Sequence, residues 1–182
     1  MGSDAAAGPD ISARNATLCT ACGLCCDGSL FEAVRVDAVE IAPLEQLGLA
    51  IERGDEPRFN QPCTKLVDRC CSIYAARPRI CRNFACALLK RLHKGDVTLD
   101  QARGVVATAQ TLRARVAEAT PPARGIAASL AAAPDQDWVA IVDPAMRLAA
   151  ARRHLDQMVL RDYLATHFRL PGDKPGAGGG EP

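Results

Sequence analysis

The sequence predicts a mainly α-helical protein. A small Cys-rich metal-binding region of irregular loops and short helices comes first, and two longer helices follow. Three observations carry this reading. All nine cysteines lie between Cys19 and Cys86. Thr98-Leu99-Asp100-Gln101 has the form of a capping box that opens a helix. Asp143-Pro144 reads as an N-cap with proline at the first helical position. The 182 residues suit one domain, or one compact domain with an appendage. Hydrophobic residues make up 48%, too many for a disordered chain, but only 4% are aromatic and many are alanine. The apolar core is therefore expected to be thin, and something else should help to hold the fold.

The elements follow in order. Residues 1–16, rich in Ala, Gly and Asp, read as a flexible N-terminus, and 17–29 as a Cys/Gly loop. Leu30–Ile41 suits a short strand or an extended piece, with Phe31, Val34, Val36, Val39 and Ile41. Pro43–Leu49 suits one or two helical turns. Gly54–Pro62 reads as a loop, and Cys63–Pro78 as loop and turn around thiols. Arg79–Lys94 reads as one helix stopped by Gly95. The capping box predicts a long helix from Leu99 to about Ala119, with Val105, Val106, Ala109, Leu112 and Val116 on its apolar face. Pro121-Pro122 ends it, and a short helix is expected over 123–132. The last helix should run from Pro144 to about His167, with Leu148, Leu155, Met158, Val159, Tyr163 and Phe168 near one stripe. The glycine-rich residues 171–182 read as a disordered tail. The organisation is thus a metal-binding region over 17–95 and a helical region over 96–170 packed on it.

Charge narrows the partners. The net charge is +1, which does not indicate a globally basic nucleic-acid binder. It is unevenly spread, however. Four basic and ten acidic residues precede Lys65, whereas eight basic and one acidic residue lie from Lys65 to Lys94. No stacking aromatics accompany that basic stretch, so nucleic acid is not expected as a partner. Met1–Asp10 lacks the basic and apolar parts of a secretory signal, and no apolar run of about 18 residues exists. A cytoplasmic protein with no membrane span is expected. In that reducing compartment clustered thiols read as metal ligands, not disulfides.

Cys19-x2-Cys22-x2-Cys25-Cys26 is a dense array. A C-x2-C turn aims two sulfurs at one ion while backbone N–H groups point at those sulfurs, and three Cys at this spacing can grip one face of a cluster. Adjacent Cys25 and Cys26 are expected to project in different directions. That suggests two metal ions, or one centre with an extra thiol beside it. Cys63, Cys71, Cys81 and Cys86 bring the thiols to eight, with Cys70 left over. Eight suit two four-thiolate sites, or one cluster with extra ligands. The irregular spacing does not identify the metal. Arg69, Arg77, Arg79 and Arg82 interleave with the later Cys and would compensate bound thiolates or pair with nearby carboxylates. Asp37 reads as a surface acid, Tyr74 and Phe84 as packing around the site, and His93, His154 and His167 as ordinary helix residues.

These residues resemble a known family. Cys19-Thr20-Ala21-Cys22-Gly23-Leu24-Cys25-Cys26 is similar to the signature of the YkgJ-type CxxCxxCC cysteine-cluster family. Cys63 with Lys65-Leu66-Val67-Asp68, Cys71-Ser72-Ile73-Tyr74, Arg77-Pro78, and Cys81-Arg82-Asn83-Phe84-Ala85-Cys86 resemble its later blocks. The resemblance spans about residues 17–90. It implies zinc or iron chelation, and the family is often labelled iron–sulfur. Cys70 falls outside the pattern.

The expected metal ligands are Cys19, Cys22, Cys25, Cys26, Cys63, Cys71, Cys81 and Cys86. The three-Cys loop slightly favours an iron–sulfur cluster, and one or two Zn2+ suit the same thiols. Three functions are compatible with them: a redox protein or iron–sulfur oxidoreductase, an interaction module with structural zinc whose C-terminal helices dock a protein partner, or a metal-handling or sensing protein without catalysis. No catalytic residue is assigned. No Walker motif, dinucleotide loop or G-x-S-x-G elbow appears.

Overall fold

The computed structural model describes residues 11–119, 126 and 139–170. The chain is mainly α-helical. Helix α1 (Ile11–Cys22) is followed by strand β1 (Ala33–Arg35), a 3-10 turn (Ala38–Glu40), α2 (Ile41–Gln46) and β2 (Arg58–Asn60). Strands β3 (Leu66–Val67) and β4 (Cys70–Cys71) come next, then a 3-10 turn (Tyr74–Ala76), α3 (Arg79–Asn83), α4 (Ala87–Lys94), α5 (Leu99–Ala119) and α6 (Pro144–His167). The sheets are two antiparallel pairs, β1–β2 and β3–β4. In the first, buried Val34 pairs with buried Phe59, while Arg35 and Arg58 face outward.

Helix α5 is the spine, packed along α6 and against α1 and α4. Its buried residues Ala102, Val106, Ala109 and Val116 recur at helical spacing. They join Leu18, Leu24, Leu30, Phe31, Leu88, Leu89, Leu92, Leu160, Leu164 and Phe168 in the larger of two hydrophobic clusters. The smaller holds Val34, Val36, Leu44, Leu49 and Phe59.

The capping box forms as expected. The Gln101 N–H donates to Thr98 Oγ1 at 3.2 Å, and the Thr98 N–H donates to Gln101 Oε1 at 2.8 Å. Asp143 Oδ1 accepts from the Met146 N–H at 2.8 Å. Gly95 stops α4 at φ +79°, a left-handed conformation that glycine adopts without steric cost.

Several elements differ from the sequence reading. The expected lead-in and Cys/Gly loop are helical from Ile11 to Cys22. Tertiary contacts support that helix: Gln110 Nε2 of α5 donates to the carbonyls of Ala21 (2.8 Å) and Cys22 (3.0 Å), which the helix end leaves without intrahelical partners. The loop expected over Gly54–Pro62 contains β2. The segment from Cys63 to Pro78 contains a hairpin, whose two-residue turn places Asp68 and Arg69 at φ +46° and +69°. The single helix expected over Arg79–Lys94 is two. Phe84 and Cys86 are extended, and Cys86 starts α4 by accepting the Leu89 N–H on its sulfur at 3.4 Å. The readings over 1–10, 120–125, 127–132 and 171–182 lie outside the described residues.

The stripe expected on the last helix also differs. Tyr163 and Phe168 of that stripe pack into the larger cluster, and the Tyr163 hydroxyl donates to the Val105 carbonyl of α5 at 3.3 Å, but Leu148, Leu155 and Val159 are half or more exposed, and Leu160 and Leu164 are buried instead. Leu160→Ala should therefore cost about 3 kcal/mol and Leu155→Ala less than about 0.5 kcal/mol, measured by denaturant unfolding.

Candidate metal centre

The eight expected ligands reach one place from separate elements. Cys19 and Cys22 stand three residues apart on α1, on one helical face. Gly23 leaves the helix at φ +72°, with Arg69 of the hairpin so close that an added Cβ would lie 3.2 Å from its Cβ and carbonyl oxygen. The turn that follows carries Cys25 and Cys26, with the Cys26 and Asp27 N–H groups donating to the Gly23 carbonyl. Cys63 precedes β3, Cys71 lies on β4, Cys81 on α3, and Cys86 caps α4. All eight line a single cavity of about 190 Å³, together with Tyr74, Arg77 and Phe84. Cys70 does not line it. It is exposed, and its thiol donates to the Thr20 carbonyl at 3.3 Å.

All nine cysteines are free thiols. Cys25 Sγ and Cys26 Sγ lie 3.6 Å apart, so these neighbours meet instead of diverging as the sequence reading expects. The eight thiols share the cavity without closing on a point. Among the described residues, no three His, Cys, Asp or Glu side chains converge as ligands of a single ion.

The cavity suits soft metals. Its donors are thiols, and no carboxylate or imidazole lines it among the described residues. Thiolate sets select zinc, Cu(I) or iron–sulfur over hard cations. The buried Nε of Arg77 has no hydrogen-bond partner among the described residues, and its guanidinium favours the thiolate forms of Cys19, Cys26, Cys71 and Cys81. That guanidinium also stacks 3.7 Å from the Tyr74 ring centroid. An unpaired buried donor among thiols fits a centre that becomes anionic when it is filled. The other arginines have bonds of their own, although Arg69 and Arg82 also line the cavity. Arg79 pairs with Asp37 at 2.8 Å, Arg82 donates to the Arg77 carbonyl, and Arg69 donates to Gln110 Oε1.

Residues 18–103 match a family model. This segment is a CxxCxxCC domain. Its family is described as "Putative zinc- or iron-chelating domain". No curated protein and no solved structure matches the chain. The CxxCxxCC domain covers α1 from Leu18, both hairpins, α2 to α4 and the start of α5, and leaves α6 outside. No described helix is long and apolar enough to cross a membrane.

Sequence reasoning missed two supports of the CxxCxxCC domain. Asp27 accepts the Ser29 N–H at 2.8 Å and forms a half-buried ion pair with Arg113 Nε at 2.6 Å, which ties the Cys25–Cys26 turn to α5. Gln110 clasps the end of α1, as described above. Neither residue has a motif, since each partner is remote in sequence.

Burial sets the protonation of the thiols. It pushes Cys19 up to about 11 and Cys22 and Cys81 up to about 12, and raises Cys63, Cys71 and Cys86. The contact with Cys26, then burial, raises Cys25, and the hydrogen bond from Cys25 lowers Cys26. At neutral pH most of these groups are thiols, so metal must displace protons and its affinity should rise with pH. The metal-free protein has the opposite trend. Above about pH 9 the unfolded chain loses thiol protons that the fold retains to about 11 or 12, so the unfolded state binds fewer protons and stability falls as pH rises. Cys26, lowered, runs the other way but is outnumbered. Urea unfolding of metal-free protein should show a lower midpoint near pH 10 than near pH 8.

Proposed function

We propose that this protein binds iron–sulfur through the eight cavity cysteines and serves as a redox protein. The observation that carries the reading is the assembly of eight thiols, from three helices, a turn and a hairpin, around one cavity lined otherwise largely by apolar and aromatic residues. An iron–sulfur cluster takes its protein thiolates on different irons and fills the centre with sulfide. Its ligands need not converge on a point, which matches thiols that share a cavity without surrounding a single ion. The apolar walls limit water and set the dielectric on which a reduction potential depends.

One observation favours a second reading, structural zinc. The donors that line the cavity are thiols, with no carboxylate or imidazole among the described residues, and four thiolates fill the tetrahedral positions of a closed structural zinc site. Zinc in such a site supplies about 10 kcal/mol or more of binding free energy to folding, comparable to the whole stability of a domain. With hydrophobic clusters as small as these, the metal would act as a second core.

Anaerobic purification with elemental analysis and a visible spectrum separates the two. A brown protein containing iron and acid-labile sulfide supports the first reading, and a colourless zinc protein replaces it with the second. In either case Cys22→Ser and Cys81→Ser should each lower the metal content, and Cys70→Ser should leave it unchanged. Full metal content in both of the first two variants would overturn the ligand set.

A further inference from the structure

We infer that the eight thiols, which share one cavity, close around metal as two four-thiolate sites that cross the sequence blocks, with Cys19, Cys22, Cys25 and Cys86 in one and Cys26, Cys63, Cys71 and Cys81 in the other. This rests on the reading of the cavity as a thiolate metal centre. It goes beyond that reading by assigning each cysteine, and it divides the chain at the peptide bond between Cys25 and Cys26.

Packing gives the first line of argument. The sulfurs lie between the two hydrophobic clusters and do not divide by sequence order. Cys19, Cys22, Cys25 and Cys86 pack against the larger cluster. Cys63 and Cys81 pack against the smaller, beside Ile73 and Ile80. Cys86, the last cysteine in the chain, thus sides with the first three.

Backbone hydrogen bonds place Cys26 and Cys71. The Cys63 N–H donates to the Cys26 carbonyl at 2.7 Å, and the Leu66 N–H donates to the Cys63 carbonyl at 3.0 Å. Leu66 in turn pairs with Cys71 across the hairpin. One ladder therefore links Cys26, Cys63 and Cys71, and none of its steps passes through Cys25.

Cys25 Sγ and Cys26 Sγ, 3.6 Å apart, mark the seam where the two sites adjoin.

Zinc alone, added to the full-length metal-free protein, tests the assignment, with bound metal counted by elemental analysis. Wild type should hold two ions. The pair Cys22→Ser/Cys86→Ser should hold one, the pair Cys63→Ser/Cys81→Ser should hold one, and the pair Cys81→Ser/Cys86→Ser should hold none. If the Cys81/Cys86 pair keeps one ion and the Cys22/Cys86 pair keeps none, the sites are the early four and the late four, and the inference is wrong. Loss of all metal from every pair means one shared centre, which also overturns it. A companion measurement needs no variant to fold. Thiol alkylation of wild type at rising zinc, read by peptide mass, should show protection in the two sets named, whereas Cys26 protected in step with Cys19, Cys22 and Cys25 sinks the assignment. Wild type that takes up neither zinc nor iron defeats the metal reading itself, a result distinct from any redistribution among pairs.

Discussion

The structure depends on a seam. Two hydrophobic clusters, neither of them large, face each other across a cavity lined by eight thiols. Direct apolar contact does not fuse them into one core. What lies between is sulfur, a weak hydrogen-bonding group whose chief talent is to bind soft metals once it is deprotonated. The thin aromatic content seen in the sequence has its counterpart here: the interior is divided, and the division is where the chemistry sits.

That arrangement explains which parts of the protein could be read from the chain. The gathering of the eight thiols around one cavity was legible because their spacing follows a ligand pattern that local sequence carries. The starts of α5 and α6 were legible because caps are local: Thr98 with Gln101, and Asp143 with Met146, complete their bonds within four residues. Gly95 was legible for the same reason. Helix α1 was not, because its support comes from Gln110, almost ninety positions away. The break between α3 and α4 was hidden because Cys86 acts as an N-cap, a role for which sequence rules look to Ser, Thr, Asp or Asn. On α6 apolar residues fall on more than one face, and periodicity alone does not say which of them meet a neighbour.

The basic stretch from Lys65 to Lys94 shows the same limit of local reading. The sequence invites one explanation for all its arginines. The structure gives each its own task. Arg77 faces the thiols, Arg79 anchors α3 to Asp37, Arg82 braces the main chain at Arg77, and Arg69 holds Gln110. A charge count signals the presence of compensation but not its address.

Gln110 joins three parts at once. Its amide nitrogen serves the Ala21 and Cys22 carbonyls, its oxygen takes the Arg69 guanidinium, and its backbone belongs to the helix that carries α6. An ion held by Cys22 would pull on a helix end that this one side chain splints to α5, and α5 lies along α6. Filling the interior would in this way bear on a helix that begins 122 positions further along the chain.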